Sequence, residues 1–221
     1  MEFLIIAVIV LIIYPYTLLY RADPFERRFP FKRDYTLKVH PNIGRRYCDE
    51  TACIKFTKRA TSSTLGKALA HAFYLMGQNS CIKFESAKFI GRPSDFDKYH
   101  FKVLDFSEVE YKQARFPFMD EIDGRLPCDN LILPKDLSNI NLYDDNKLKN
   151  LVLPCDHLLQ YTPYAYYPPG TRFEIRCLDD FVISVPPDLV SAYCAAPSWQ
   201  SIDLISADGV KRPIEFRAYY E

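Results

Sequence analysis

Glycine is scarce in this 221-residue chain: seven residues in all, against sixteen prolines, so its turns rest on Pro, Asp and Asn. Glycine-rich phosphate cradles are excluded. Lys67 follows Gly66, but the G-x-x-x-x-G-K spacing would need glycine where Thr61 stands. Net charge is also missing, with 28 basic and 28 acidic residues, which excludes the strongly basic domain of a nucleic-acid binder. No N-x-S/T sequon occurs, and Asn79-Ser80-Cys81 is a weak variant, so glycosylation does not indicate which side of a membrane the chain faces. There is no H-E-x-x-H helix, nucleophile elbow, paired-carboxylate arrangement or heptad pattern. These absences weigh against an enzyme, and no cofactor is expected.

What is present begins at the N-terminus. Phe3 to Tyr20 (FLIIAVIVLIIYPYTLLY) holds no charge in eighteen positions, and as a helix it covers about 27 Å, close to a bilayer's hydrocarbon thickness. Its apolar side chains are Phe3, Leu4, Ile5, Ile6, Val8, Ile9, Val10, Leu11, Ile12, Ile13, Leu18 and Leu19. A cleaved signal peptide fits poorly, because no basic n-region precedes the run and Tyr20 is bulky where a cut after Ala22 wants a small residue. Residues 1–20 are therefore expected to be an uncleaved transmembrane anchor whose first partner is the lipid bilayer. Residues 21–47 read as an extended basic-aromatic arm carrying Arg21, Arg27, Arg28, Lys32 and Arg33 near the membrane, with Pro24, Pro30 and Pro41 discouraging helix.

Residues 48–221 are rich enough in apolar and aromatic side chains to fold. The expectation is an α+β domain dominated by strands, with one clear helix at about 62–77. There Leu65, Leu69, Phe73 and Met76 recur at helical spacing and Gly77 supplies a terminator. Hairpins are expected between residues 85 and 125, and strands at FEIRCL and FVISVPP. Seven cysteines, Cys48, Cys53, Cys81, Cys128, Cys155, Cys177 and Cys194, suggest two or three disulfides, with Cys48 or Cys53 to Cys81 as the nearest link. CDETAC has four residues between its cysteines and no second pair, which disfavours zinc, and no metal site is expected.

Two near-repeats stand out. ACIKF (52–56) recurs as SCIKF (80–84), and Leu126-Pro127-Cys128-Asp129 recurs as Leu153-Pro154-Cys155-Asp156. Two copies fall short of a solenoid, so similar strand-opening turns used twice are the expectation. The helix followed by SCIKF resembles part of the astacin-type zinc proteases. The zinc-binding helix of that family is missing here, so protease activity is not expected.

Topology signals conflict: the positive-inside rule keeps the basic flank cytoplasmic, whereas seven cysteines favour an oxidising side. An apolar N-terminus, Arg21, Arg27 and Arg28 just beyond it, and a cysteine-bearing domain without sequons together resemble the occlusion-derived-virion envelope proteins of insect large DNA viruses, notably the small per os infectivity factors. That resemblance implies sorting to the inner nuclear membrane. It further implies a subunit of a hetero-oligomeric envelope complex that works by protein contact in attaching to and entering midgut cells. The alternatives are a single-pass assembly protein of the endoplasmic reticulum or secretory membrane, and a membrane-bound hydrolase whose site would draw on His71, His100 or His157.

Overall fold

A computed structural model describes residues 35–41, 50–56, 60–77, 81–85, 89–90, 100–109, 128–142, 148–162 and 171–220. All belong to one unit that begins at Asp34. The hydrophobic run, together with Arg21, Arg27, Arg28, Lys32 and Arg33, lies outside them, as does Cys48. Among the described residues no helix is long and apolar enough to cross a membrane.

In chain order the elements are β1 (Tyr35–Pro41), β2 (Glu50–Phe56), β3 (Ala60–Thr61), α1 (Ser62–Met76), β4 (Cys81–Glu85), β5 (Phe89–Ile90), β6 (Phe101–Glu108) and β7 (Cys128–Ile132). There follow β8 (Asn139–Ile140), β9 (Asn150–Val152), β10 (Gln160–Tyr161), β11 (Phe173–Arg176), β12 (Val182–Val185), α2 (Val190–Ala195), α3 (Pro197–Gln200), β13 (Ile202–Ile205), β14 (Lys211–Pro213) and β15 (Phe216–Ala218). The class is α+β and mostly sheet. β1 starts inside the stretch read as an arm and pairs with β2 along all seven of its residues.

The main sheet runs β1-β2-β4-β6-β7-β9-β12-β15. β1 is antiparallel to β2, and every later neighbour is parallel. Each strand is laid beside the one before it, which is the order of a solenoid. The smaller sheets follow suit: β8 pairs in parallel with β10, and β11 with β13. Strands β7 and β9 in the main sheet, with β8 and β10 paired beside them, thus repeat one course in two successive coils. The hairpins expected between residues 85 and 125 are overturned for β6, which pairs in parallel on both edges.

Two near-repeats gave no solenoid expectation because the coils have no fixed length. Ala52, Ile82, Leu104, Leu131, Leu151, Ile183 and Phe216 are successive cross-strand partners, separated by 30, 22, 27, 20, 32 and 33 residues. The first six are fully or almost fully buried. A second inward column lies two residues further on, since side chains alternate along a strand. It holds Ile54, Phe84, Phe106, Leu133, Leu153 and Val185, all buried. Near its start aromatic rings gather: Phe56, two residues past Ile54, stacks on Phe84 at 6.2 Å, and Phe84 on Phe106 at 4.6 Å.

α1 matches the expected helix, and its end has a visible cause. Gly77 adopts φ 74 while its amide donates to the Phe73 carbonyl at 2.8 Å. A left-handed residue there closes the last turn, and glycine takes that conformation without a Cβ clash. Ala68, Leu69 and Ala72 are wholly buried, and Phe73 meets Phe101 edge-on. His71, also buried, holds Nδ1 3.3 Å from the Tyr35 hydroxyl and so ties α1 to β1.

The expectation of two or three disulfides is corrected: Cys53, Cys128, Cys155, Cys177 and Cys194 stand outside any disulfide, which leaves room for one, and Cys81 is disulfide-bonded, with Cys53 not its partner. Cys128, Cys155 and Cys177 are buried and act as small apolar fillers; Cys128 is the cross-strand partner of Phe101. For these three the role is packing, within a core closed by paired ladders and apolar columns.

Candidate interaction surface

The outward columns of the sheet are not open ground. Val103, Asn130, Asn150 and Val182 form one row, and Asp105, Ile132, Val152 and Ser184 another. All but Ile132 are buried. Parallel sheets are characteristically covered on both faces, and here the polar members of the rows meet their needs locally. Ser184 donates to Asn150 Oδ1 at 2.8 Å, Asn130 Nδ2 donates to the Lys102 carbonyl, and Asp105 Oδ1 accepts the Ser107 amide. Across β6, β7, β9 and β12 exposed groups therefore lie towards the strand ends, whereas β1 also exposes Thr36, Lys38 and His40 along its length.

The rim at the strand ends carries a motif that the near-repeats missed. Leu131-Ile132-Leu133-Pro134-Lys135-Asp136, Leu151-Val152-Leu153-Pro154-Cys155-Asp156 and Ile183-Ser184-Val185-Pro186-Pro187-Asp188 share one pattern: two inward aliphatics, then Pro-x-Asp. Leu133 and Leu153 still donate to the next strand, at Val152 and Ser184 carbonyls. Proline then removes a donor, and the chain turns off the ladder at the same level each time. The Cys128/Cys155 similarity is not this repeat, because Cys128 opens β7 while Cys155 follows β9.

Adjacent turns on this rim are clasped together. Cys155 Sγ donates to the Pro134 carbonyl at 3.5 Å. His157 Nε2 lies 2.8 Å from the Leu137 carbonyl, and its Nδ1 3.0 Å from Asp156 Oδ1. Both partners are acceptors, so both ring nitrogens donate when the ring is an imidazolium. The hydrogen bond to Asp156 accordingly raises the His157 pKa above the usual 6.5, and Asp156 is lowered in return. A raised histidine value means that the clasp is complete below the ordinary pKa and is lost as pH climbs through the folded one. Its side chain is half exposed, so the contribution to stability is small. Titration followed by NMR is expected to give a His157 midpoint above 6.5, falling back towards it in Asp156→Asn.

On the opposite rim, His100 Nε2 lies 2.9 Å from Asp129 Oδ1, and Lys149 Nζ 3.5 Å from Oδ2 of the same carboxylate. Lys83 pairs with Glu108 at 2.6 Å across β4 and β6. His71, His100 and His157 thus stand on three different elements: within α1, ahead of β6, and after β9. Among the described residues no group of three or more His, Cys, Asp or Glu is placed to hold a metal ion.

The buried thiols are poor nucleophiles. Burial pushes Cys155 up to about 11, and burial, with the Asp129 carboxylate beside it, raises Cys128 as well. Cys177 is also raised by burial, despite the Arg212 guanidinium 4.0 Å from its sulfur. Maleimide labelling of the native protein is expected to modify Cys194, which is exposed on α2, and to spare Cys128 until the chain unfolds. Mass spectrometry of the digested protein reads both.

No family model, curated protein or solved structure matches this chain.

Proposed function

We propose that the chain is a membrane-anchored envelope protein that works by protein contact, a subunit of a hetero-oligomeric complex serving attachment to and penetration of insect midgut cells. The observation that carries the contact reading is the ladder of parallel strands laid down in chain order. Solenoids of this kind repeat one turn geometry along an edge and so present side chains in rows suited to an extended partner. The Pro-x-Asp rim supplies such a row, with Lys135, Asp156, His157 and Asp188 exposed along it. The buried thiols and separated histidines favour binding over bond chemistry. Anchoring rests on the uncharged run from Phe3 to Tyr20 and its basic flank.

Two measurements test the two halves of the proposal. After carbonate washing, the full chain is expected in the membrane pellet; its recovery intact in the aqueous fraction removes the anchor. Liposomes carrying the full chain are expected to bind midgut brush-border vesicles above bare liposomes, and to lose that excess when Lys135→Glu and Asp188→Lys reverse the rim. Equal binding by bare liposomes, or indifference to the reversal, defeats the contact role.

A further inference from the structure

The main sheet is finished differently at its two ends. At one end stands β1, antiparallel to β2 and, among the described residues, with no strand on its own outer edge. At the other, β15 pairs with β12, and among the described residues no strand pairs with its outer edge. Unpaired strand edges invite another strand unless charge or shape forbids it.

Alternation along β15 fixes which groups face outward. The Glu215 carbonyl accepts from Ile183 at 3.0 Å and the Tyr219 amide donates to Val185 at 2.7 Å, so odd-numbered residues turn their main chain to β12. The amides and carbonyls of Ile214, Phe216 and Ala218 therefore point the other way. On its inward face Phe216 is held by Tyr193 at 5.3 Å and Trp199 at 5.6 Å, which keeps the edge in place. Glu215 and Arg217 flank it, paired with each other at 2.6 Å and about half exposed.

We infer that a second copy of this chain occupies that edge, the two β15 strands pairing antiparallel about a two-fold axis through Phe216. In this register Phe216 exchanges both hydrogen bonds with Phe216 of the second copy, and Ile214 bonds to Ala218. Glu215 then lies directly opposite Arg217 on each side, in the closely spaced type of pair, where unlike charges stabilise and like charges repel. The neighbouring registers fail on charge. Moving the axis one residue back sets Glu215 against Glu215, and one forward sets Arg217 against Arg217. A register centred on Ile214 places Arg217 opposite Lys211. The edge is thus self-complementary in one register, the isologous contact that a closed dimer requires.

Sedimentation equilibrium of the full chain in density-matched detergent tests the pairing. Wild type is expected to rise to twice the monomer mass with concentration. Arg217→Glu and Glu215→Arg, each alone, are expected to abolish the rise, and the double reversal to restore it, because it again sets unlike charges opposite. Ala218→Pro, which deletes an outward donor and spares the bonds to β12, is expected to leave monomer with an unchanged circular dichroism spectrum. A wild type that stays monomeric, a dimer that survives either single reversal or Ala218→Pro, or a double reversal that fails to restore it each overturns the inference.

Discussion

Replacing Trp199 with alanine is expected to destabilise the domain by about 3–5 kcal/mol, the range for removing a fully buried large aromatic side chain. Trp199 is 1% exposed, and its ring meets Tyr161, Tyr193 and Phe216 at 5.6–5.8 Å. Its indole nitrogen donates to the Leu159 carbonyl at 2.8 Å, and the Leu159 amide donates to the Tyr193 hydroxyl at 3.0 Å. The substitution therefore opens a cavity and orphans a buried carbonyl at once. At roughly 2–4 °C per kcal/mol for a domain of this size, the melting temperature should fall by about 6–20 °C. A drop of a degree or less would mean that the α2–α3 segment does not pack as described.

Phe84→Ala is expected to have a comparable effect, about 3–5 kcal/mol, in the other half of the sheet. Phe84 is wholly buried between Phe56 and Phe106, both parallel to it within 8°. Removing the middle ring breaks two stacked contacts and leaves both neighbours facing a void. Urea unfolding reads the loss directly. Phe84 and Trp199 share none of these ring partners, so the double variant should lose the sum of the two. In a coil built by neighbour contacts the damage should also stay local. Hydrogen exchange in Trp199→Ala is expected to quicken around β10 and β13 before it quickens in β2 and β4.

The elements that could be foreseen were those governed by short-range chemistry. The spacing of Leu69, Phe73 and Met76 within fifteen residues, and a terminating Gly77 just past them, define α1 locally. The alternation in ACIKF and SCIKF marks β2 and β4, although their true register sets Ile54 against Phe84 and not against Ile82. Parallel pairing was hidden, because it joins residues 20 to 33 positions apart at changing intervals and so leaves no period to detect. The threefold aliphatic-x-aliphatic-Pro-x-Asp pattern was legible in principle. It was masked by a stronger coincidence of Leu-Pro-Cys-Asp, whose two copies occupy different levels of the coil. Cysteine count misled for a related reason: a buried thiol packs like a small apolar side chain, and composition does not distinguish filler from crosslink.

Unequal coil length has a consequence for how much variation this chain can absorb. The ladder fixes only the few residues that form each rung, and the rest of a coil is a detour whose closing entropy grows with the logarithm of its length. Extending a 20-residue circuit to 32 adds about 0.4 kcal/mol by that relation. Foreign peptide spliced into such a detour should leave the rungs in register, which makes the detours natural places to carry a reporter.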